Sequence, residues 1–309
     1  MSYLARRLLL LIPIMFIVSI VVFGMVFLSG DPAVLMLPPE ASAEEIAQFR
    51  ESHGFNDPFL IQYGRFVGNA LKGDFGVSLR YNEPAMQLVL ERLPATLQLS
   101  GLSILLIVLI SVPLGTIAAL NRGSIIDYFA SFISVFGQAI PNYWLGFMLM
   151  FLFAITLHLL PTSGGPGIKY AILPAITIAV NILALITRMT RSSVLEALSE
   201  DYVRTERAKG VPEGIIIIRH VLRNAILPVI TIIALQFGYI LGSSVVIETV
   251  FSWPGLGLLT INAIQNRDFP VVQAAVIFLT FAFVIINLVV DISYQFIDPR
   301  IRFIGQEQK

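Results

Sequence analysis

The stretch Glu200–Pro228, EDYVRTERAKGVPEGIIIIRHVLRNAILP, is charged and punctuated by glycine, and it separates two long apolar runs. Ser199 is placed to cap a helix whose first turn holds Glu200 and Asp201 and whose last turn holds Arg207 and Lys209, the charge order that suits a helix dipole. Gly210 is placed to end that helix in a left-handed conformation, and Pro212 forbids its continuation. A helix of about ten residues is marginal alone in water. Something must hold it: a groove on a soluble partner would do so, and a solvated connector between two membrane spans is the plain alternative.

Working outward, the chain is 56% apolar and 13% charged over 309 residues, against roughly 25% charged in soluble domains. A soluble core of this size has no place for so much apolar surface, so lipid is the solvent for much of it. The formal net charge is zero, which argues against nucleic acid as a partner, since phosphate binding needs a basic footprint. There are no cysteines, so disulfides, iron–sulfur clusters and thiol catalysis are excluded. His53, His158 and His220 are far apart and show no metal-ligand spacing.

Six spans follow from the apolar runs. Leu8–Leu28 holds 21 residues without a charge, long enough to cross a bilayer and too long for the apolar region of a cleaved leader, which is typically about 7–15 residues. Leu93–Asn121 lies uncharged between Arg92 and Arg122. Tyr128–Leu160 is long for one crossing and contains Pro141, which predicts one helix kinked near Pro141–Asn142. Ile172–Thr187, Ala225–Ile247 and Val271–Val290 complete the set. The expected fold class is therefore an all-α membrane protein, with both ends on one side. Thirteen of the twenty Lys and Arg fall on the side of the N-terminus, and the positive-inside rule makes that side cytoplasmic. The expected division is a first span over 1–28, an extracytoplasmic helical insert over 29–93, a five-helix core over 94–291 and a cytoplasmic tail over 292–309.

The insert reads as ordered. Ser42 with Glu45 forms a capping box, Ile46 and Phe49 follow on one face, and Gly54 stops the turn. Asp57–Pro58 starts a second helix whose Phe59, Tyr63, Phe66, Val67 and Ala70 form one stripe before Lys72–Gly73. Asn82–Glu83–Pro84 starts a third that leads through Met86, Val89, Leu90 and Leu93 into the membrane. Helices lying on lipid headgroups and a platform for an extracytoplasmic partner are both consistent with this pattern.

No lysine follows Gly-x-x-x-x-Gly or precedes Ser or Thr, and no Gly-x-Ser-x-Gly or His-Glu-x-x-His occurs. An enzyme reading has no nucleophile, metal or cofactor site to stand on. The middles of the spans lack charged residues, which argues against a proton relay. What remains there is Gln138, Asn142, Asn181, Gln236, Gly238, Gly242, Ser243, Ser244 and Asn287. Interhelical hydrogen bonds account for such residues in general.

Beyond these readings, Asp201-Tyr202-Val203-Arg204-Thr205-Glu206-Arg207-Ala208-Lys209-Gly210 followed by Arg219-His220-Val221-Leu222-Arg223-Asn224-Ala225-Ile226-Leu227-Pro228 resembles the cytoplasmic coupling loop of permease subunits in ATP-binding-cassette (ABC) importers of the peptide/nickel branch. Further matches are Gly30-Asp31-Pro32, Gly73-Asp74-Phe75-Gly76-Val77-Ser78, Asn121-Arg122-Gly123-Ser124, Arg188-Met189-Thr190-Arg191-Ser192-Ser193, Glu248 through Gly257 and Asp298-Pro299-Arg300-Ile301-Arg302. The resemblance implies the type I ABC importer permease fold. It also implies a coupling helix at about 200–210, carried by Asp201, Tyr202, Arg204, Thr205, Glu206, Arg207, Lys209 and Gly210, that inserts into a groove on an ATPase subunit. The family usually has Ala where this chain has Glu206, so the carboxylate needs a basic partner on the ATPase or must lean toward Lys209.

The partners implied are a homologous second permease, one or two ATPase subunits, an extracytoplasmic substrate-binding protein and membrane lipid. ATP and magnesium would sit on the ATPase, with no cofactor in this chain. The location implied is a bacterial or archaeal plasma membrane. A path for many peptides suits uncharged amides, so Gln138, Asn142 and Gln236 are the expected lining. Trp253, Pro254, Gly255, Arg267 and Asp268 are the expected outer gate and binding-protein contact. Import of di- or oligopeptides is the expected activity. Nickel complexes, glutathione or opines are the alternatives within the family, and a stand-alone channel or secondary carrier is the alternative outside it.

Overall fold

The computed structural model describes residues 3–297 except 29, 31, 32, 35, 36, 38–40 and 166. Most of the Gly30–Pro32 motif, the Asp298–Arg302 motif and the expected tail beyond residue 297 lie outside the described residues. Among the described residues the only β pairing is an isolated bridge between Val77 and Pro84. The other regular elements are helices: α1 Tyr3–Leu28, α2 Ala43–His53, α3 Phe59–Ala70, α4 Ala85–Leu120, α5 Ile125–Ala139, α6 Asn142–Thr156, α7 Ile168–Ser199, α8 Asp201–Ala208, α9 Glu213–Val250, α10 Leu256–Gln265 and α11 Phe269–Ile297. Five of these are long and apolar enough to cross a membrane, and α5 with α6 makes a sixth if the bent pair is one span.

That bent pair corrects the expectation of one kinked helix over Tyr128–Leu160. The two helices meet at 107°. The ring of Pro141 disfavours helical geometry at the preceding residue, and Ile140 is extended at φ −83°, ψ 125°. Pro141 is extended too, at φ −61°, ψ 133°. Two consecutive extended residues make a corner where a lone proline inside a helix would only bend it. Asn181 on α7 supports the corner: its amide donates to the Ile140 carbonyl at 3.4 Å and to the Asn142 side chain.

The chain divides into two compact units. The first takes residues 1–95 and 254–284. In it the capping box of α2 is present, with Glu45 N–H donating to Ser42 Oγ and Ser42 N–H to Glu45 Oε2, and Gly54 is left-handed at φ 67°. The stripe on α3 packs on α1: Phe23 stacks on Phe66 at 5.2 Å and meets Phe59 edge-on at 5.4 Å, and Ser19 Oγ lies 2.8 Å from the Tyr63 hydroxyl. Those rings are therefore held by α1. A second cluster joins the start of α4 (Ala85, Leu88, Val89) to α10 and α11 through Leu256, Leu259 and Val271.

The second unit takes residues 96–253 with the end of the chain, and α7 is its axis. Leu173, Ile178, Ile186 and Val194 along α7 are all essentially inaccessible. Neighbouring helices reach α7 through glycine. A Cβ on Gly115 of α4 would lie 2.6 Å from the Thr187 carbonyl oxygen and 2.7 Å from Thr190 Cβ. One on Gly137 of α5 would meet Ala184 Cβ at 3.2 Å, and one on Gly146 of α6 would meet Thr177 Cγ2 at 3.4 Å. Several buried hydroxyls on these helices bond back to their own backbone, as Ser111 does to Ile107 at 2.6 Å and Thr177 to Leu173 at 2.7 Å, whereas those of Ser100, Thr187 and Thr190 are buried without a hydrogen-bond partner among the described residues. The bonded hydroxyls therefore make no demand on the packing.

Gly115→Ala should cost about 1–3 kcal/mol of stability, the range for overpacking. Gly101→Ala on the same helix, where a Cβ meets nothing within 4 Å, should be neutral or stabilising. Thermal unfolding of the two purified variants checks this, and equal midpoints would contradict the close approach.

Candidate functional site

Helix α8 is eight residues, Asp201–Ala208, and only Glu200, extended at φ −70° and ψ 148°, separates it from α7. Ser199 does not cap it, contrary to expectation. It is the last residue of α7, and its hydroxyl donates to the Glu196 carbonyl at 2.7 Å. The C-terminal end matches expectation. Gly210 has φ 78°, its N–H donates to Arg207 O at 3.0 Å and the Val211 N–H to Glu206 O at 3.2 Å, the two bonds of a Schellman closure. Pro212 then starts α9 directly.

Three internal contacts fix α8 in place. Val203 is fully buried in a cluster with Ala119 of α4, Val194 and Ala197 of α7, and Ile216, Val221 and Ala225 of α9. Tyr202 packs against the same cluster, its hydroxyl buried without a hydrogen-bond partner among the described residues. Arg207 reaches over the Schellman turn to Glu213 with a two-pronged bond, Nε–Oε2 3.0 Å and Nη2–Oε1 2.5 Å. Glu206 leans on Lys209, Nζ–Oε1 2.9 Å. That bond holds the Glu206 carboxyl below the usual carboxylate range, with the charges of Lys209 and His220 acting in the same direction. The carboxylate therefore has its basic partner within the chain. Asp201, Arg204, Thr205, Arg207, Ala208 and Lys209 remain exposed, so α8 is a polar ridge on an apolar root. Val203 is the residue the sequence reading missed, although it is the one aliphatic side chain larger than alanine inside the charged run.

Beyond α8, Ile216–Val221 is wound as a π-helix before α9 resumes regular geometry. Of the expected path residues, Asn142 sits at the α5–α6 corner and accepts from Asn181. Gln138 is exposed on α5 and Gln236 half-buried on α9. All three lie in the second unit.

At the end of α9 the same closure recurs without glycine. Ser252 is left-handed at φ 49°, with Ser252 N–H donating to Thr249 O at 3.2 Å and Trp253 N–H to Glu248 O at 2.8 Å. The chain so turned carries Trp253 inward to 2% exposure. Glu248, one residue beyond the expected span, is fully buried and accepts from Thr96 Oγ1 at 2.8 Å.

In the first unit Arg267 takes φ 54° at the end of α10, and the turn delivers Asp268 into the protein at 2% exposure. There Ser78 Oγ donates to Asp268 Oδ2 at 2.5 Å and Leu79 N–H to Oδ1 at 3.2 Å. Gly73–Ser78 is thus a clip on the α10–α11 turn, with Gly76 N–H on Asp74 Oδ1 at 2.9 Å. Of the residues expected at the outer gate, Trp253, Gly255 and Asp268 are buried. Pro254 is half-buried and Arg267 exposed.

Residues 111–303 match the model of the binding-protein-dependent transport system inner membrane component, and residues 1–100 match the N-terminal model of the same systems' membrane component.

The chain belongs to this permease family.

Two relatives are the Glutathione transport system permease protein GsiC of Escherichia coli (strain K12) and that of Salmonella paratyphi A. Each is 42% identical over 304 residues, covering 98% of this chain and 99% of the relative. A solved structure described as an amino acid ABC transporter with histidines superposes with a TM-score of 0.50 at 18% identity, covering 68% of this chain and 94% of that one, and shows the shared fold. The protein is a multi-pass permease subunit of an ABC importer. The family places such a permease in a system with an ATPase and a binding protein. In this permease α8 is the polar element tied most directly to the central helix α7.

Val203→Asp should free α8 from its root, since a buried unpaired carboxylate costs several kcal/mol. Tryptic cleavage after Arg204 and Arg207 in the detergent-solubilised complex should then accelerate relative to wild type. An unchanged rate would show that Val203 does not hold the helix.

Proposed function

We propose that this permease subunit forms half of the translocation path of an importer of short peptides, glutathione among them, and that α8 is the helix an ATPase subunit engages. The observation that carries the second claim is the construction of α8. A helix too short to stand alone is closed at its end, rooted by one buried valine, joined to α7 by a single residue and left with a polar ridge exposed. A solvated connector needs neither the root nor the closure. The substrate class is supported by relatives named for glutathione, a tripeptide, that align along nearly the whole chain, and by polar but uncharged groups in the second unit. Glu206, bonded to Lys209, adds to the ridge a local ion pair with little net charge to oppose docking.

On reconstituted complexes carrying the second permease, ATPase and binding protein, Gly210→Val should lower uptake and uncouple hydrolysis from transport, or release the ATPase. A Cβ at Gly210 meets nothing within 4 Å, so the valine acts through its left-handed backbone, about 1–2 kcal/mol. Glu206→Lys should leave the helix intact and lower uptake by charge reversal. Wild-type transport by both variants would return α8 to the role of connector. Uptake of labelled glutathione, dipeptides, opines and nickel complexes by the same vesicles decides among substrates.

The proposed orientation has both termini and α8 in the cytoplasm. Since the chain lacks cysteine, a single Arg204→Cys substitution in intact cells should resist an impermeant thiol reagent, whereas Lys169→Cys should react. Labelling at 204 from outside would reverse the topology.

A further inference from the structure

In the first unit, α1 stands off from α10 and α11 and leaves an apolar groove of about 700 Å³. One wall is α1, where Ile17, Val21 and Met25, four residues apart, face it and are otherwise exposed. The other wall is α11, where Phe269, Val272, Val276 and Thr280 form a single stripe. At 1.5 Å per residue the walls run about 12 Å and about 16 Å. Half of a bilayer's hydrocarbon core is about 15 Å, so the groove is one leaflet deep. In the orientation proposed above, on which this inference rests, α1 rises outward and α11 descends, so the Met25–Phe269 end is the outer one.

Polarity is confined to that outer end. Arg267, exposed at the end of α10, lines the mouth of the groove and has no ion-pair partner among the described residues. Its neighbour Asp268 turns the other way, onto Ser78 and Leu79. At the deep end the Thr280 hydroxyl donates to the Val276 carbonyl of its own helix at 2.8 Å, which leaves no polar demand there. A free guanidinium at headgroup level over an apolar slot matches a phosphodiester with a hydrocarbon tail.

We propose that this groove binds a phospholipid of the outer leaflet, its phosphate on Arg267 and one acyl chain between α1 and α11.

The test places photoreactive benzoylphenylalanine at Val276 in the groove, and separately at Phe132, an exposed residue of α5, in the complete transporter in its membrane. After irradiation the mass of this subunit is read. The Val276 position should yield a phospholipid adduct. Arg267→Asn keeps a residue that tolerates the left-handed backbone. It should lower that adduct about fivefold, the factor for about 1 kcal/mol per basic residue near a lipid surface. Arg267→Lys should restore it in part, and the Phe132 adduct should not respond to either change. Wild-type protein in vesicles of phosphatidylglycerol doped with diacylglycerol should label the phospholipid preferentially per mole, a measurement that needs no variant at Arg267. An adduct to the second permease, a phospholipid yield indifferent to Arg267, or equal labelling of diacylglycerol would each overturn the proposal.

Discussion

The second unit depends on the close approach of helices at glycine. Between helices in lipid there is no hydrophobic force to gain, because the tails are as apolar as leucine, and association rests on close packing. Gly115, Gly137 and Gly146 let three separate helices approach α7, and at Gly115 the approach is to a bare carbonyl. Small residues along α7, among them Ala175, Ala179 and Ala184, keep that surface smooth. The consequence is mechanical. A central helix held along its length transmits displacement, and α8 leaves it after one extended residue with Val203 seated among α4, α7 and α9.

The ends of the helices then decide which side chains are inside. At the ends of α8, α9 and α10 the chain reverses through a left-handed residue, glycine at 210 but serine at 252 and arginine at 267. For residues with a Cβ that geometry costs roughly 1–2 kcal/mol. After Ser252 and Arg267 burial offsets the cost: the next residues, Trp253 and Asp268, are each 2% exposed. The strain at Arg267 also has a directional effect. It sends adjacent side chains opposite ways, the carboxylate to the Ser78 clip and the guanidinium to the apolar groove.

What the sequence showed and what it did not divide along the range of the interaction responsible. The spans, the Ser42–Glu45 box, the α3 stripe and the Gly210 closure are encoded within a few residues, by periodicity and caps. The 107° corner was encoded locally as well, in the restriction that Pro141 places on Ile140, but a corner differs from a kink through Asn181, 41 residues away in the chain. Ser199 has the chemistry of a cap and uses it on Glu196, because α7 runs on to the end of its hydrophobic face. The partners of Glu248 and Asp268 lie 152 and 190 residues distant. A single sequence marks them only as acids beside apolar runs, which reads as surface.

The amides named from sequence as lining a path are separated by the bonds they already make. Asn142 accepts from Asn181, and that amide also serves the Ile140 carbonyl, so the pair stabilises a corner whose backbone would otherwise be open. An amide committed in this way has little to offer a passing solute without loosening the break. Gln138, one turn before the same corner, and Gln236 on α9 have no side-chain hydrogen bond within the described residues. Their donors and acceptors are available, they carry no fixed charge, and they can bond to a peptide backbone whatever its side chains. Within the proposed function, the two glutamines are therefore the amides we propose as contacts of the path, and the asparagines form a joint beside one of them.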